Sequence, residues 1–228
     1  MNKNLFITVP ETTLPGGLVV PSFKVGQFAC SQGEDGKAVV TAEGTPWVRI
    51  KFADAKAACK SAGVKLITES QWLAIAWNAS QQDCNWTKGK VGEGKLFQGI
   101  RKNEVCSAQP GNFVPTNKKE RRWLTLSNGE RIRDLNGNVC QWVFDDIQGD
   151  EAGLVAKAFA KDSPSTATAP FPSLKKGMGW RPDAGSNWSG GALIRGGSWL
   201  SGRYAGAFYL LYDWPSGEWG SIGFRCTL

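Results

Sequence analysis

Histidine is absent from all 228 residues. That removes the commonest general base near neutral pH and the commonest metal ligand. No apolar run approaches the ~20 residues needed to cross a bilayer, so membrane insertion is not expected. The six cysteines (Cys30, Cys59, Cys84, Cys106, Cys140 and Cys226) include no C-x-x-C pair, which argues against a zinc ribbon. The N-terminal LFITV is interrupted by Pro10 and lacks the small-residue cleavage site of an export leader. The expectation is therefore cytosolic synthesis, with free buried thiols in preference to three disulfides. No internal repeat and no domain boundary is visible, which leaves residues 1–228 as one domain.

Glycine and tryptophan are abundant instead, at 28 and 11 residues. The pairing indicates a loop-rich domain whose irregular segments are pinned by large aromatics. The net charge of +7 comes largely from KKERR (118–122), RIR (131–133) and KK (175–176). Basic residues spread along a chain in this way read as a solubilising surface, and no nucleic-acid partner is expected.

The first thirty residues alternate apolar runs with Pro/Gly turns, which predicts short strands. Residues 53–60 read as a helix ending at Gly63. A second helix starts at Thr68, an N-cap with Gln71 as its capping-box partner. RRWLTL, RIRDL, CQWVFD and ALIR read as strands. Residues 146–185, with DSPSTATAPFPS, read as an inserted loop. The closing stretch RGGSWLSGRYAGAFYLLYDWPSGEWGSIGFRC (195–226) sets Tyr204, Tyr212, Trp214 and Trp219 among glycines and serines.

Four segments together carry a resemblance. PWVRIKFADAKAACKSAG, KLITESQWLAIAW, NGNVCQWVFD and RGGSW…IGFRC are similar, in order and spacing, to motifs of the sulfatase-modifying-factor family, which includes the formylglycine-generating enzymes. The resemblance implies an α/β (α+β) C-type lectin fold of that type: two helices, twisted antiparallel sheets and long loops. Within it, Trp142 and Trp199 would pin loops over the sheet, and Arg195 and Arg225 would reach carbonyls or carboxylates such as Asp145.

The enzymes of this family carry reactive cysteines shortly after the GGS(W/Y) motif. LSGRYAG (200–206) contains none, and Ser201 cannot supply a Cu(I)-binding thiolate. The iron-dependent branch uses histidines, which this chain lacks. A calcium-dependent sugar site would need clustered carboxylate and amide oxygens, and no E-P-N, Q-P-D or W-N-D tripeptide occurs. Catalysis is thus not expected, and no cofactor is assigned.

The segment 198–226 also resembles the variable region of proteins diversified by retroelements, in which a constant frame holds exposed, rewritten side chains. Trp199, Gly202, Ala205, Gly206, Phe208, Leu210, Pro215, Ser216 and Ile222 to Cys226 correspond to the frame. The positions expected at a ligand-binding surface are Leu200, Ser201, Arg203, Tyr204, Leu211, Tyr212, Asp213, Trp214, Gly217, Glu218, Trp219, Gly220 and Ser221. Trp214, Glu218 and Trp219 lie outside what adenine replacement in an AAC codon can encode. The expected path is a looped one that brings these positions into a single patch. The expected partner is a protein or surface ligand, and a virion tail is one candidate location.

Overall fold

The computed structural model describes residues 5–102 and 104–228. Helix α1, Phe52–Ser61, buries Phe52, Ala55, Ala58 and Cys59, an apolar stripe at helical spacing. Helix α2, Glu69–Ser80, starts at the expected capping box: Gln71 N donates to Thr68 Oγ1 (3.2 Å) and Thr68 N donates to Gln71 Oε1 (3.0 Å). Its Trp72, Leu73, Ala74, Ile75 and Ala76 are buried in succession, because α2 has neighbours on every side.

Two four-stranded sheets organise the chain. One joins Phe6–Val9, Phe23–Gly26, Cys226–Thr227 and Lys65–Leu66 in that spatial order, so both ends of the described chain share a sheet. The other joins Leu210–Asp213, Ala192–Arg195, Cys140–Val143 and Ile222–Phe224. Its first three strands are antiparallel, but Ile222–Phe224 runs parallel to Cys140–Val143. The sheet is therefore mixed rather than antiparallel throughout. The loop 214–221 links its two outer strands, so it must cross the sheet from one edge to the other.

Strand alternation sends Cys140, Trp142, Ala192, Ile194, Ile222 and Phe224 into the core around α1. Val143, Leu193 and Leu210 enter the core around α2. RRWLTL and RIRDL form the hairpin of Trp123–Thr125 with Arg131–Arg133. Residues 146–185 hold a helical turn at Pro164–Ala167, a 3₁₀ turn at Leu174–Lys176 and one isolated antiparallel bridge, Gly149 with Val155. Even so, Val155, Phe159 and Met178 of this segment are buried against α2. Its backbone is irregular, but it contributes to the core.

Trp72 and Trp142 are fully buried, and their indole N–H groups donate to Ala207 O (2.8 Å) and Ile50 O (3.0 Å). Trp199 is only half-buried, so of the two tryptophans expected to pin loops only Trp142 is a core residue. Arg195 and Glu69 are both buried and form a bidentate pair. Arg195 also donates to Phe208 O (3.1 Å) and Ser165 O (3.0 Å). Arg225 donates to Gln141 Oε1 (2.9 Å), Gly26 O (2.6 Å) and Arg133 O (2.6 Å). Asp145 is the partner of neither arginine; its Oδ1 accepts from Ile147 N and Gln148 N, both at 3.0 Å.

Burial, with the Glu69 carboxylate adding to it, pushes Asp145 up to about 6. An unfolded aspartate titrates near ~4. The folded value is the higher one, so the fold binds the proton more tightly than the unfolded chain. The stability this confers is complete below about pH 4 and lost as pH rises through about 6. Asp145→Asn keeps an oxygen for the two backbone donors and carries no charge. It should raise the melting temperature at pH 7 by a few degrees and flatten the parent's loss of stability between pH 4 and 6. Thermal melts across that range check this; parallel profiles for parent and variant would refute it.

All six cysteines are free, with Cys84 and Cys106 exposed. Cys30, Cys59 and Cys226 meet in the α1-side core, with Cys226 Sγ 2.7 Å from Cys30 Sγ and 3.1 Å from Cys59 Sγ. No helix among the described residues is long and apolar enough to cross a membrane.

Candidate binding surface

The chain leaves the strand Ala192–Arg195 through a tight turn that needs glycine. Gly197 has φ +76°, and a Cβ there would stand 2.7 Å from Ala205 Cα. Ser198 N then donates to Ser201 Oγ (2.8 Å), and Trp199 N to Asn138 O (2.9 Å). A 3₁₀ turn at Gly202–Tyr204 follows, with Gly202 N donating to Arg101 O (2.7 Å). These bonds fasten the backbone while Leu200, Arg203 and Tyr204 point outward; Leu200 is 53% and Tyr204 41% exposed.

The chain then dives. Ala205, Ala207, Phe208 and Leu210 are fully buried. Gly206 passes so close to residues 177–179 that a Cβ would lie 2.5 Å from Gly179 N. Trp180 N donates to Tyr204 O (2.9 Å) and Leu210 N to Trp180 O (2.8 Å), which stitches this descent to the 146–185 segment.

Leu210–Asp213 emerges as an outer strand of the mixed sheet, paired with Ala192–Arg195. This departs from the expected looped path, and the pairing has a consequence. Successive side chains take opposite faces. Leu211 goes to the α1-side face, where a hollow of about 380 Å³ is lined by Trp180, Leu200, Ser201, Tyr204, Tyr209 and Leu211. Tyr212 faces the other way and packs on Trp188, with ring centroids 4.8 Å apart. The expected single patch is therefore divided at Tyr212. An aromatic row spans the division: Trp180 stacks on Trp188 (6.4 Å), and Tyr212 meets Trp214 edge-on (6.3 Å).

Beyond the strand, the loop 214–221 is held by a distant segment. Arg49 N donates to Trp219 O (3.0 Å) and Phe52 N to Pro215 O (3.1 Å). Its backbone carbonyls are thus anchored, while Trp214 and Trp219 stand 63% and 54% exposed and Glu218 is open. A Cβ at Gly217 would sit 2.8 Å from Nε1 of the exposed Trp219, so a side chain there requires that ring to shift. Ser201, Leu211, Tyr212, Asp213, Gly217, Gly220 and Ser221 are half-buried. None of the thirteen named positions is fully buried.

Trp180, Trp188 and Tyr209 complete the surface and were not foreseen. Trp180 and Trp188 are the only tryptophans of KKGMGWRPDAGSNW (175–188), a stretch too rich in turn residues to signal which ring would reach the sheet.

The chemistry around the hollow is that of contact. It offers hydroxyls, aromatic faces and an aliphatic wall. The neighbouring thiol, Cys140, is fully enclosed, and burial pushes it up to about 12. Burial also holds the Tyr209 phenol above its usual range. Neither is an activated nucleophile at neutral pH.

The sulfatase-modifying factor enzyme 1-like domain matches residues 20–228, more than nine-tenths of the chain. The chain belongs to this family. A comparison of its sequence with curated proteins finds no match. Among solved structures, CarF shares the fold over 99% of this chain and 98% of its own, with a TM-score of 0.51 at 13% identity. Variable protein 1 of Treponema denticola aligns over 99% and 92% of the two chains, with a TM-score of 0.46 and 14% identity. The P3c variant of Major Tropism Determinant aligns over 95% of this chain and 51% of its own, with a TM-score of 0.40 and 14% identity. The fold of this family member is thus the C-type lectin fold of the formylglycine-generating-enzyme type. Arg195 of its RGGSW motif and Glu69 of its TESQW motif, 126 residues apart in sequence, meet in the buried ion pair.

Proposed function

We propose that this protein is a binding protein whose C-terminal surface is diversified by a retroelement and recognises a receptor or host surface. One observation carries the reading: none of the thirteen proposed variable positions is enclosed, while the frame residues Ala205, Gly206, Phe208, Leu210 and Ile222 to Cys226 are. The other frame positions, Trp199, Gly202, Pro215 and Ser216, sit in the turns and reach solvent in whole or part, so exposure separates the two sets in the descent and the closing strand but not in the turns. Side chains that reach solvent can be exchanged without unfolding the domain, since surface substitutions usually change stability by only ~0.5 kcal/mol. Tyr, Trp and Arg at such positions supply large contact areas and dominate binding hot spots. Catalysis of the formylglycine-generating kind is the weaker reading, because Ser201 in the hollow offers a hydroxyl and the adjacent Cys140 thiol is sealed in.

Sequencing the genome around the gene tests the diversification. The expected result is a near-copy of the DNA for about residues 198–226, differing almost only at adenines, beside a reverse transcriptase gene. Populations of the source that carry invariant DNA over this segment, with no such copy, would rule diversification out.

A further inference from the structure

The KKERR run reads along the chain as ordinary surface charge, but the fold does something specific with it. Arg122 turns inward, and its guanidinium pairs with buried Asp134. Arg121 lies over the Phe97 ring, 4.4 Å from its centroid. Lys118 and Lys119 line a separate concavity of about 610 Å³, together with Lys95, Arg101 and Lys102 from elsewhere in the chain. Five cations therefore line one hollow, and no carboxylate does. None of the five closes an ion pair among the described residues.

Arg101 is the innermost of the five. It is half-buried, and its Nε is shut away from solvent without a hydrogen-bond partner. Burial presses its guanidinium below the usual range, while the nearby Glu120 and Glu104 carboxylates pull the other way. A desolvated guanidinium of this kind gains most from an oxyanion that can accept two of its N–H bonds. The pocket also adjoins the candidate binding surface: Arg101 O accepts from Gly202 N (2.7 Å), and Gln98 of the pocket wall donates to Ala205 O.

We propose that this pocket is an anion subsite that holds a phosphate or sulfate ester group of an acidic surface polysaccharide, beside the 198–226 segment. The inference goes beyond the binding reading, because none of the five cations belongs to that segment. A glycan fits better than a nucleic acid. The cations are gathered into one concavity, whereas a nucleic-acid site needs a basic groove that tracks the backbone with bases stacked along it. Whether the ester is phosphate or sulfate is decided by experiment, since both present the same tetrahedral oxyanion.

The test uses the full chain with dextran sulfate, phosphorylated dextran and neutral dextran, each titrated at physiological salt, and inorganic phosphate as the minimal probe. The expected result is binding of at least one charged dextran and none of the neutral one, together with a rise in melting temperature on adding phosphate. Arg101→Gln combined with Lys118→Ala and Lys119→Ala should weaken the charged dextran tenfold or more and abolish the phosphate effect. A control variant, Lys60→Ala with Lys65→Ala and Lys24→Ala, removes three positive charges elsewhere and should leave both unchanged. If the pocket variant melts early, Lys118→Ala with Lys119→Ala alone serves, since both side chains are exposed. Equal weakening by pocket and control variants would reduce the effect to net charge and overturn the proposal. So would absence of binding, or a single-stranded 20-mer that outcompetes both dextrans at the pocket. Serine at Arg203 and Tyr204 should leave the phosphate effect intact, so failure of this subsite and failure of the binding reading give different patterns.

Discussion

Glu69→Leu is expected to cost about 3–5 kcal/mol, because it leaves the Arg195 guanidinium buried without its counter-charge. Both residues have no exposed surface, and Glu69 accepts from two guanidinium nitrogens. The carbonyls of Phe208 and Ser165 remain as acceptors, but they carry no full charge to offset the desolvated cation. In a domain of this size each kcal/mol moves the melting temperature by roughly 2–4 °C, so a fall of about 6–20 °C should follow. Adding Arg195→Met to Glu69→Leu should recover part of the loss, since a buried pair replaced by apolar side chains is often close to neutral. Thermal and urea denaturation of the two single variants and the double variant measure this. A double variant that loses the sum of the single losses would show that the two side chains are not coupled.

The second large effect is on binding. Leu200, Arg203, Tyr204 and Trp219 replaced together by serine should leave circular dichroism unchanged and the melting temperature within a few degrees. All four side chains are exposed, and the backbone that carries them is held by bonds from Ser201, Asn138, Arg101 and Arg49 that the substitutions do not touch. Affinity should fall at least a hundredfold, because aromatic and arginine anchors of this kind each contribute about 2 kcal/mol or more when central to an interface. The probe is a bacterial strain that the parent chain selects from a panel of intact cells, with binding read by flow cytometry. Tyr212 is left out because it packs on Trp188. Trp142→Ala is the converse control. It empties a fully buried site whose indole donates to Ile50 O, and should cost about 3–5 kcal/mol. A quadruple variant that unfolds, or one that binds as well as the parent, would remove the candidate surface from consideration.

Much of the framework was legible in the residues themselves. Thr68 and Gln71 cap α2 because capping is settled within four residues of chain. The strands at CQWV and ALIR follow from local apolar runs bounded by turn residues, and the family motifs carried the fold as a whole. Frame positions such as Phe208 and Leu210 are buried because large apolar side chains leave water wherever the fold gives them a core.

Other features depended on contacts between distant parts of the chain. Arg195 finds Glu69 and not Asp145, a choice made by how α2 docks on the sheet. Tyr212 turns away from Leu211 because Leu210–Asp213 pairs with Ala192–Arg195, and one paired strand alternates its faces whatever its composition. Trp180 and Trp188 join the candidate surface from a segment with no regular pattern, Trp180 held by backbone bonds to Tyr204 and Leu210 and Trp188 by its ring packing on Tyr212. The basic residues show the same limit. Their number and sign are properties of the sequence, but an electrostatic site depends on distances in space. Only the folded chain brings Lys95, Arg101, Lys102, Lys118 and Lys119 to one concavity while turning Arg122 into the core.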